Sequence, residues 1–231
     1  MKPIFFSLFF VLGIAQASAQ FFVQKLNQNE ISKADEAYAV LTSGDTVRGT
    51  IGTVSMYDNS LDKINIRENG ERFTIKMEDI VRLAVLPSER NRFDDMALLP
   101  ILKNLKNKEF IEVLPEGGWV FFDKIQLPGK QERYQLAQLM NPGFDSKVKI
   151  YAHPDAESTG STSVSSITLE GLRDNTYFIS VNGERVFQFY DFQYRKRGFE
   201  KIFNSCPTLK GKKLKWKEFA EDVFLHDQKC L

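Results

Sequence analysis

The dipeptide Asn-Gly occurs at 69–70 and again at 182–183, each time between runs rich in apolar and β-branched residues. A two-residue hairpin turn of type I′ needs positive φ at both central positions. Asn tolerates that and Gly takes it freely, so the flanking runs are set up to pair antiparallel. Gly44 within Thr42-Ser43-Gly44-Asp45 and Gly117-Gly118 after Pro115 add two more turn signals. A chain punctuated in this way folds around short antiparallel strands.

The spacing between these turns predicts the strands. Tyr38 to Leu41 runs into the Gly44 turn, and Thr46 to Ile51 returns from it. Leu61, Ile64 and Ile66 mark a third strand. Phe73 and Ile75 form a fourth, beyond Asn69-Gly70, and Val81, Leu83 and Val85 alternate in a fifth. The reading is a five-strand meander over 36–87. Residues 88–108 carry Met96, Leu98, Leu99, Ile101, Leu102 and Leu105 at helix-like intervals broken by Pro100, a helical connector. Strands resume at Phe110–Leu114 and Trp119–Phe122. Lys147–Tyr151 is a further strand, and a hairpin is built on Asn182-Gly183, so 109–190 is expected to form a second antiparallel sheet. Ser and Thr dominate 158–166, a composition that predicts a loop. Residues 20–35 are polar and are expected to be a lead-in arm.

The last forty residues change period. Phe199, Ile202 and Phe203 fall at i, i+3, i+4, and Cys206-Pro207 ends that run. Trp216, Phe219, Ala220, Val223 and Phe224 fall on one face of a second helix. An aromatic stripe at this spacing is core, so 191–231 reads as a helical pair packed on a sheet. The expected fold class is α+β, mostly β. It comprises antiparallel meanders and hairpins, arranged as a small barrel plus a second sheet or as open sheets, and a C-terminal helical pair.

Residues 1–19 have the three-part form of a signal peptide: Lys2, an apolar stretch from Ile4 to Ala15, and Ala17-Ser18-Ala19. The apolar stretch is shorter than the roughly 20 residues of a membrane span. A retained N-terminal anchor is the competing reading. Gln20 follows the expected cut where a lipid-anchored protein would carry Cys. Cleavage after Ala19 would leave 212 of the 231 residues and remove one Lys, so that thirty side chains of each sign remain. No later stretch reaches the length of a span. The expected location is the periplasm or the cell surface.

Export bears on Cys206 and Cys230, because thiols pair by default in oxidising compartments. A bridge between them would tie the ends of the two C-terminal helices. A redox or metal role is the alternative, but there is no Cys-x-x-Cys, and His153 and His226 do not fall at ligand spacing.

Catalytic signatures are missing from the chain. It has no Gly-x-Ser-x-Gly elbow, no His-Glu-x-x-His, no phosphate loop and no dinucleotide fingerprint. Asp58, Ser60 and Asp62 imitate the start of a calcium loop. Lys63 then stands where Gly is needed and Asn69 where a bidentate Glu is needed, so the site is rejected. Asp94, Asp95, Glu112, Glu116, Asp123, Asp155 and Glu157 show no spacing that selects a pair and read as solvated acids. His153 has a turn composition around it. His226, in the last helical turn, suits the helix dipole as a partly cationic ring. No cofactor and no metal site are expected.

One stretch is strongly charged. Residues 195–217 hold Arg195, Lys196, Arg197, Lys201, Lys210, Lys212, Lys213, Lys215 and Lys217 against Glu200 alone, a net +8. The rest of the chain beyond residue 19 therefore carries −8. The bland reading is lysine lining the wet side of two helices. The functional reading is a patch for an anionic partner: a lipid headgroup, an acidic glycan or an acidic protein face. Arg195, Lys196, Arg197, Lys210, Lys212, Lys213, Lys215 and Lys217 are its candidate residues. Nucleic acid is not an expected partner of an exported chain.

The strand-turn-strand from Tyr38 to Ile51, with Gly44-Asp45-Thr46 and Gly49-Thr50-Ile51, resembles the opening of a large group of exported Bacteroidota proteins of unknown function. Their usual form is an apolar strand, Gly-Asp-Thr, two residues, Gly, one residue, Ile. Phe110 to Val113 resembles their Phe-x-Glu-Val-Leu strand. Phe199 to Leu209, with Cys206-Pro207, resembles their aromatic-rich helix closed by Cys-Pro. The resemblance implies export and a β-rich architecture. The group has no assigned activity, so it transfers no catalytic residue. By glycine placement, 36–87 also resembles a small Sm- or SH3-type barrel. The expected function is that of a non-catalytic envelope protein that binds another protein or a surface component. The alternatives are a periplasmic hydrolase of glycan or peptide, using Glu112, Asp123 or a His with an acidic partner, and a carrier of a small apolar ligand.

Overall fold

A computed structural model describes residues 22–23, 25–57, 60–88, 118–153, 161–164, 167–170 and 176–230. The signal segment, the 88–108 connector apart from Ser88, and the 110–114 strand lie outside these residues. So do Asp94, Asp95, Glu112, Glu116, Asp155 and Glu157.

The protein is mostly β, with antiparallel sheets of seven and three strands, and no closed barrel forms among the described residues. The large sheet contains β1 (Glu36–Leu41), β2 (Thr46–Tyr57), β3 (Ser60–Glu68), β4 (Glu71–Lys76), β5 (Ile80–Leu86), β6 (Val120–Gln126) and β7 (Tyr134–Gln138). Its spatial order is β4-β3-β2-β1-β5-β6-β7. Both Asn-Gly pairs take positive φ at both residues, 52° and 87° at 69–70 and 51° and 75° at 182–183. The hairpin turns thus form where the dipeptides stand.

The pairing departs from a simple meander. A 3-10 turn at Met77–Asp79 carries the chain away from β4, so β5 pairs with β1, with Ala39 opposite Leu83. β6 then pairs with β5 and β7 with β6, so these two strands extend the first sheet instead of opening a second. Period-two alternation gives a strand its faces but does not name its neighbour. Part of the Ser/Thr tract is also paired: β9 (Ser161–Val164) lies antiparallel to β10 (Ile167–Glu170), where a loop was expected.

The three-stranded sheet has the order β12-β11-β8, with β8 at Val148–Ala152, β11 at Thr176–Val181 and β12 at Phe187–Tyr190. It is buried on both faces. Tyr151 and Phe178 pack with Ile125 and Ala137 of the large sheet and with Leu139, just beyond β7. Ile150, Tyr177, Ile179 and Phe189 face α2 (Asp191–Ile202) and α3 (Phe219–Lys229) in an aromatic core with Tyr194, Phe203 and Phe219. A separate core inside the large sheet holds Ile64, Ile66, Ile80 and Leu83. The stacking order is therefore curled sheet, small sheet, helices.

Residues 22–35 are anchored at both ends. Phe22 is buried among Phe144, Tyr177 and Phe219. A short helix, α1 (Gln28–Ser32), begins at a capping box in which Asn27 accepts from the Asn29 and Glu30 amides and Glu30 Oε2 accepts from the Asn27 amide at 2.6 Å. Its Ile31 enters the sheet core. The expected polar arm is thus a strap between two cores.

Candidate functional site

Three polar arrangements and one basic face are the candidates. The basic face is built on α2 and the segment that follows it. Tyr194, Gly198 and Ile202 are the buried stripe of α2, which leaves Phe192, Arg195, Lys196 and Arg197 exposed. Leu214 is buried against Gly198; a Cβ there would sit 3.0 Å from Leu214 Cδ1 and 2.8 Å from Tyr194 Cδ2. This close approach holds the 210–217 segment against α2 at Gly198.

Lys210, Lys213 and Lys217 are exposed, and none of these three, nor Arg195, Lys196 or Arg197, has an ion-pair partner among the described residues. Lys212 and Lys215 differ from the expected wet-face reading. Lys212 Nζ donates to Asp222 Oδ1 and lies 3.4 Å from Glu218 Oε2. Lys215 Nζ donates to Glu218 Oε1 at 2.9 Å. The reason is burial: Asp222 is fully buried and needs a cation, and Tyr194 Oη donates to its other oxygen at 2.6 Å. Burial holds the Tyr194 phenol well above its ordinary range, with Asp222 beside it adding to the shift. Lys212 is therefore a structural cation, whereas Lys215 stays exposed in its pair with Glu218. Phe192, 70% exposed and stacked on Tyr190 at 5.4 Å, adds an apolar edge to the face.

Asp123 is the second arrangement. It is 9% exposed, not a solvated acid. Arg82 meets it with both nitrogens of the fork, Nε to Oδ1 at 2.6 Å and a terminal nitrogen to Oδ2 at 3.1 Å, and Tyr151 Oη donates to Oδ2 at 3.2 Å. The triad joins β5, β6 and β8. It fastens the small sheet to the large one. The signal was in the run Trp119 to Ile125, which is apolar on both faces and so predicts a strand covered on both sides.

The third arrangement surrounds the disulfide. Cys206 and Cys230 are bonded, with Cα atoms 4.9 Å apart. Lys147 Nζ donates to the carbonyls of His226, Asp227 and Cys230, neutralising the C-terminal end of α3. Asp227 in turn accepts from the Ser146 amide at 3.0 Å and from its hydroxyl at 2.6 Å. His226, 1% exposed, is held below its ordinary pKa by burial and then by Lys147, with Asp227 opposing. It is a neutral ring, not the partly cationic one that its place in the helix suggests.

A groove of about 510 Å³ lies where the curled sheet faces the small one. The start of β3 approaches β7 there without a ladder, linked by Ser60 Oγ and Gln135 Oε1 at 3.3 Å. His153 and Gln188 bring the small sheet to the same space, their Nε2 atoms 3.0 Å apart. The Gln188 amide nitrogen can only donate, so the His153 ring nitrogen is the acceptor of this contact. His153 also lies against Phe178 at 4.6 Å.

No family model, curated protein or solved structure matches this chain. No cluster of three or more His, Cys, Asp or Glu suited to a metal ion occurs among the described residues, and none of the described helices is long and apolar enough to cross a membrane.

Proposed function

We propose that the protein is an exported, non-catalytic component of the cell envelope that docks on an anionic partner, an acidic protein face or a surface component, through α2 and the 210–217 segment. The observation that carries this reading is the set of six exposed cations, Arg195, Lys196, Arg197, Lys210, Lys213 and Lys217, on two segments held together at Gly198 and Leu214, none with a carboxylate among the described residues. The structure elsewhere engages its buried acids, Asp123 and Asp222, with cations of its own. A surface that leaves this many like charges unpaired raises the local concentration of anions and speeds encounter with an acidic partner.

The test is retention of the purified protein on isolated envelope fractions. The quadruple variant R195E/K196E/K213E/K217E leaves Lys212 and Lys215 in place, so Asp222 and Glu218 keep their partners and the fold is preserved. Retention is expected to fall at least about tenfold, and wild-type retention to weaken as salt rises and the Debye length drops below about 10 Å. Undiminished retention of a folded variant would overturn the docking face.

A further inference from the structure

We propose that the groove between the curled sheet and the small sheet binds a neutral glycan segment. Its volume of about 510 Å³ falls within the roughly 300–1,000 Å³ of small-ligand sites. Two exposed tyrosines stand on its rim. Tyr57, at the end of β2, is 78% exposed, and Tyr134, at the start of β7, is 44% exposed. Lys124 Nζ lies over the Tyr134 ring, 5.4 Å from its centre, which leaves the other side of the ring to the groove. An exposed aromatic face is a platform for the C–H face of a pyranose ring, and two such faces on one groove fit successive rings of a chain.

The polar lining fits hydroxyl groups. Gln135 is 7% exposed, and its oxygen accepts from Ser60 while its amide nitrogen has no partner among the described residues. Gln188 donates to His153 through its nitrogen, and its oxygen remains an acceptor. One amide thus offers a donor and the other an acceptor, the pair that adjacent hydroxyls require. The charged residues of the lining are Asp62 and Arg133, one of each sign, which balance each other. The walls are fixed before any ligand arrives: Arg185 donates to the carbonyls of Leu127 and Gly129, tying the β6–β7 loop to the turn of the small sheet. A site built in advance loses less freedom on binding.

The experiment is a titration of the ¹⁵N-labelled protein with chitotetraose, cellotetraose, maltotetraose and xylotetraose, read by amide shifts. At least one sugar is expected to move amides of Tyr57, Ser60, Gln135, His153 and Gln188 and to leave those of α2 and α3 in place. Tyr57→Ala and Tyr134→Ala should each weaken that binding about tenfold, and the double variant should abolish it. Both side chains are exposed, so melting temperatures should not change. The R195E/K196E/K213E/K217E variant should bind the sugar as the wild type does, which separates this site from the basic face. The proposal is overturned if no sugar shifts any amide, if the shifts survive the double tyrosine variant, or if a neutral tetrapeptide occupies the same amides more tightly than every sugar.

Discussion

His226 occupies the end of α3 with its ring between Phe203, 5.4 Å away, and the Ser205 hydroxyl, 3.3 Å from Nε2, while Nδ1 has no partner among the described residues. Protonation there would place a charge at a buried nitrogen close to Lys147. The ring titrates near 6.5 once the chain unfolds and at a lower pH in the folded state. Above 6.5 both states hold it neutral and its contribution is constant. As the pH falls below 6.5 the unfolded state takes up the proton first, so stability drops until the folded ring also protonates. The slope from one such proton is at most about 1.4 kcal/mol per pH unit. Melting temperature measured downward from pH 7 should therefore fall for the wild type, and His226→Gln should flatten the first part of that fall. An equal slope in the two proteins would mean that the ring is not held neutral.

Among elements, two glycines of β2 make the sharpest contrast. A Cβ at Gly49 would overlap the backbone carbonyl of Arg67 on β3. Backbone cannot turn aside as a side chain can, so Gly49→Ala must spread the β2–β3 pair and should cost about 3 kcal/mol or more. Gly52, three residues on, sits where the β2–β3 register shifts, and its nearest neighbours would stand 3.7 Å from a Cβ, an ordinary contact. Gly52→Ala should change stability by less than about 1 kcal/mol. Urea unfolding of the two variants checks the difference. Gly49 belongs to the Gly-x-Ile pattern that stands out in the sequence, and its closeness to Arg67 gives that glycine a physical reason.

Strand positions were legible because turns and alternation are local: Asn69-Gly70 and Asn182-Gly183 need nothing distant to adopt positive φ. Strand partners were not legible, since Leu83 alternates equally well beside β4 or beside β1. Phe22 and Ile31 carry no period, being nine residues apart, so nothing local marks them as anchors. The basic run was plain as composition. What it concealed was that Asp222 reaches back ten residues to take Lys212, whereas the Lys215–Glu218 pair sits at the i, i+3 spacing that a sequence can display. The groove drew on eight separate stretches of chain, and its exposed tyrosines look in sequence like ordinary strand residues.

Across the whole molecule the layers divide the hydrophobic cores, and that division predicts how the protein comes apart. Ile64, Ile66, Ile80 and Leu83 pack inside the curled sheet, while Cys206 and Cys230 lie in the core shared by the small sheet and the helices. The disulfide closes a separation of 24 residues across that second core, which in the chain-entropy model stabilises it by about 3–4 kcal/mol. Cys206→Ser with Cys230→Ser removes the constraint where α2 ends and α3 ends, next to the Lys147 contacts. The first region to open should then be α2, α3, β8, β11 and β12, with β1 to β5 retaining their own core. Hydrogen exchange of the double variant should accelerate in 176–230 and in 148–152 by a larger factor than in 36–86. The Arg82–Asp123–Tyr151 triad and the backbone bridge between Leu139 and Tyr151 join the two regions, so Tyr151 should mark the boundary of the fast-exchanging part. Equal acceleration in every strand would show instead that the joint holds the layers in one cooperative unit, and that the curled sheet does not survive without the helices behind it.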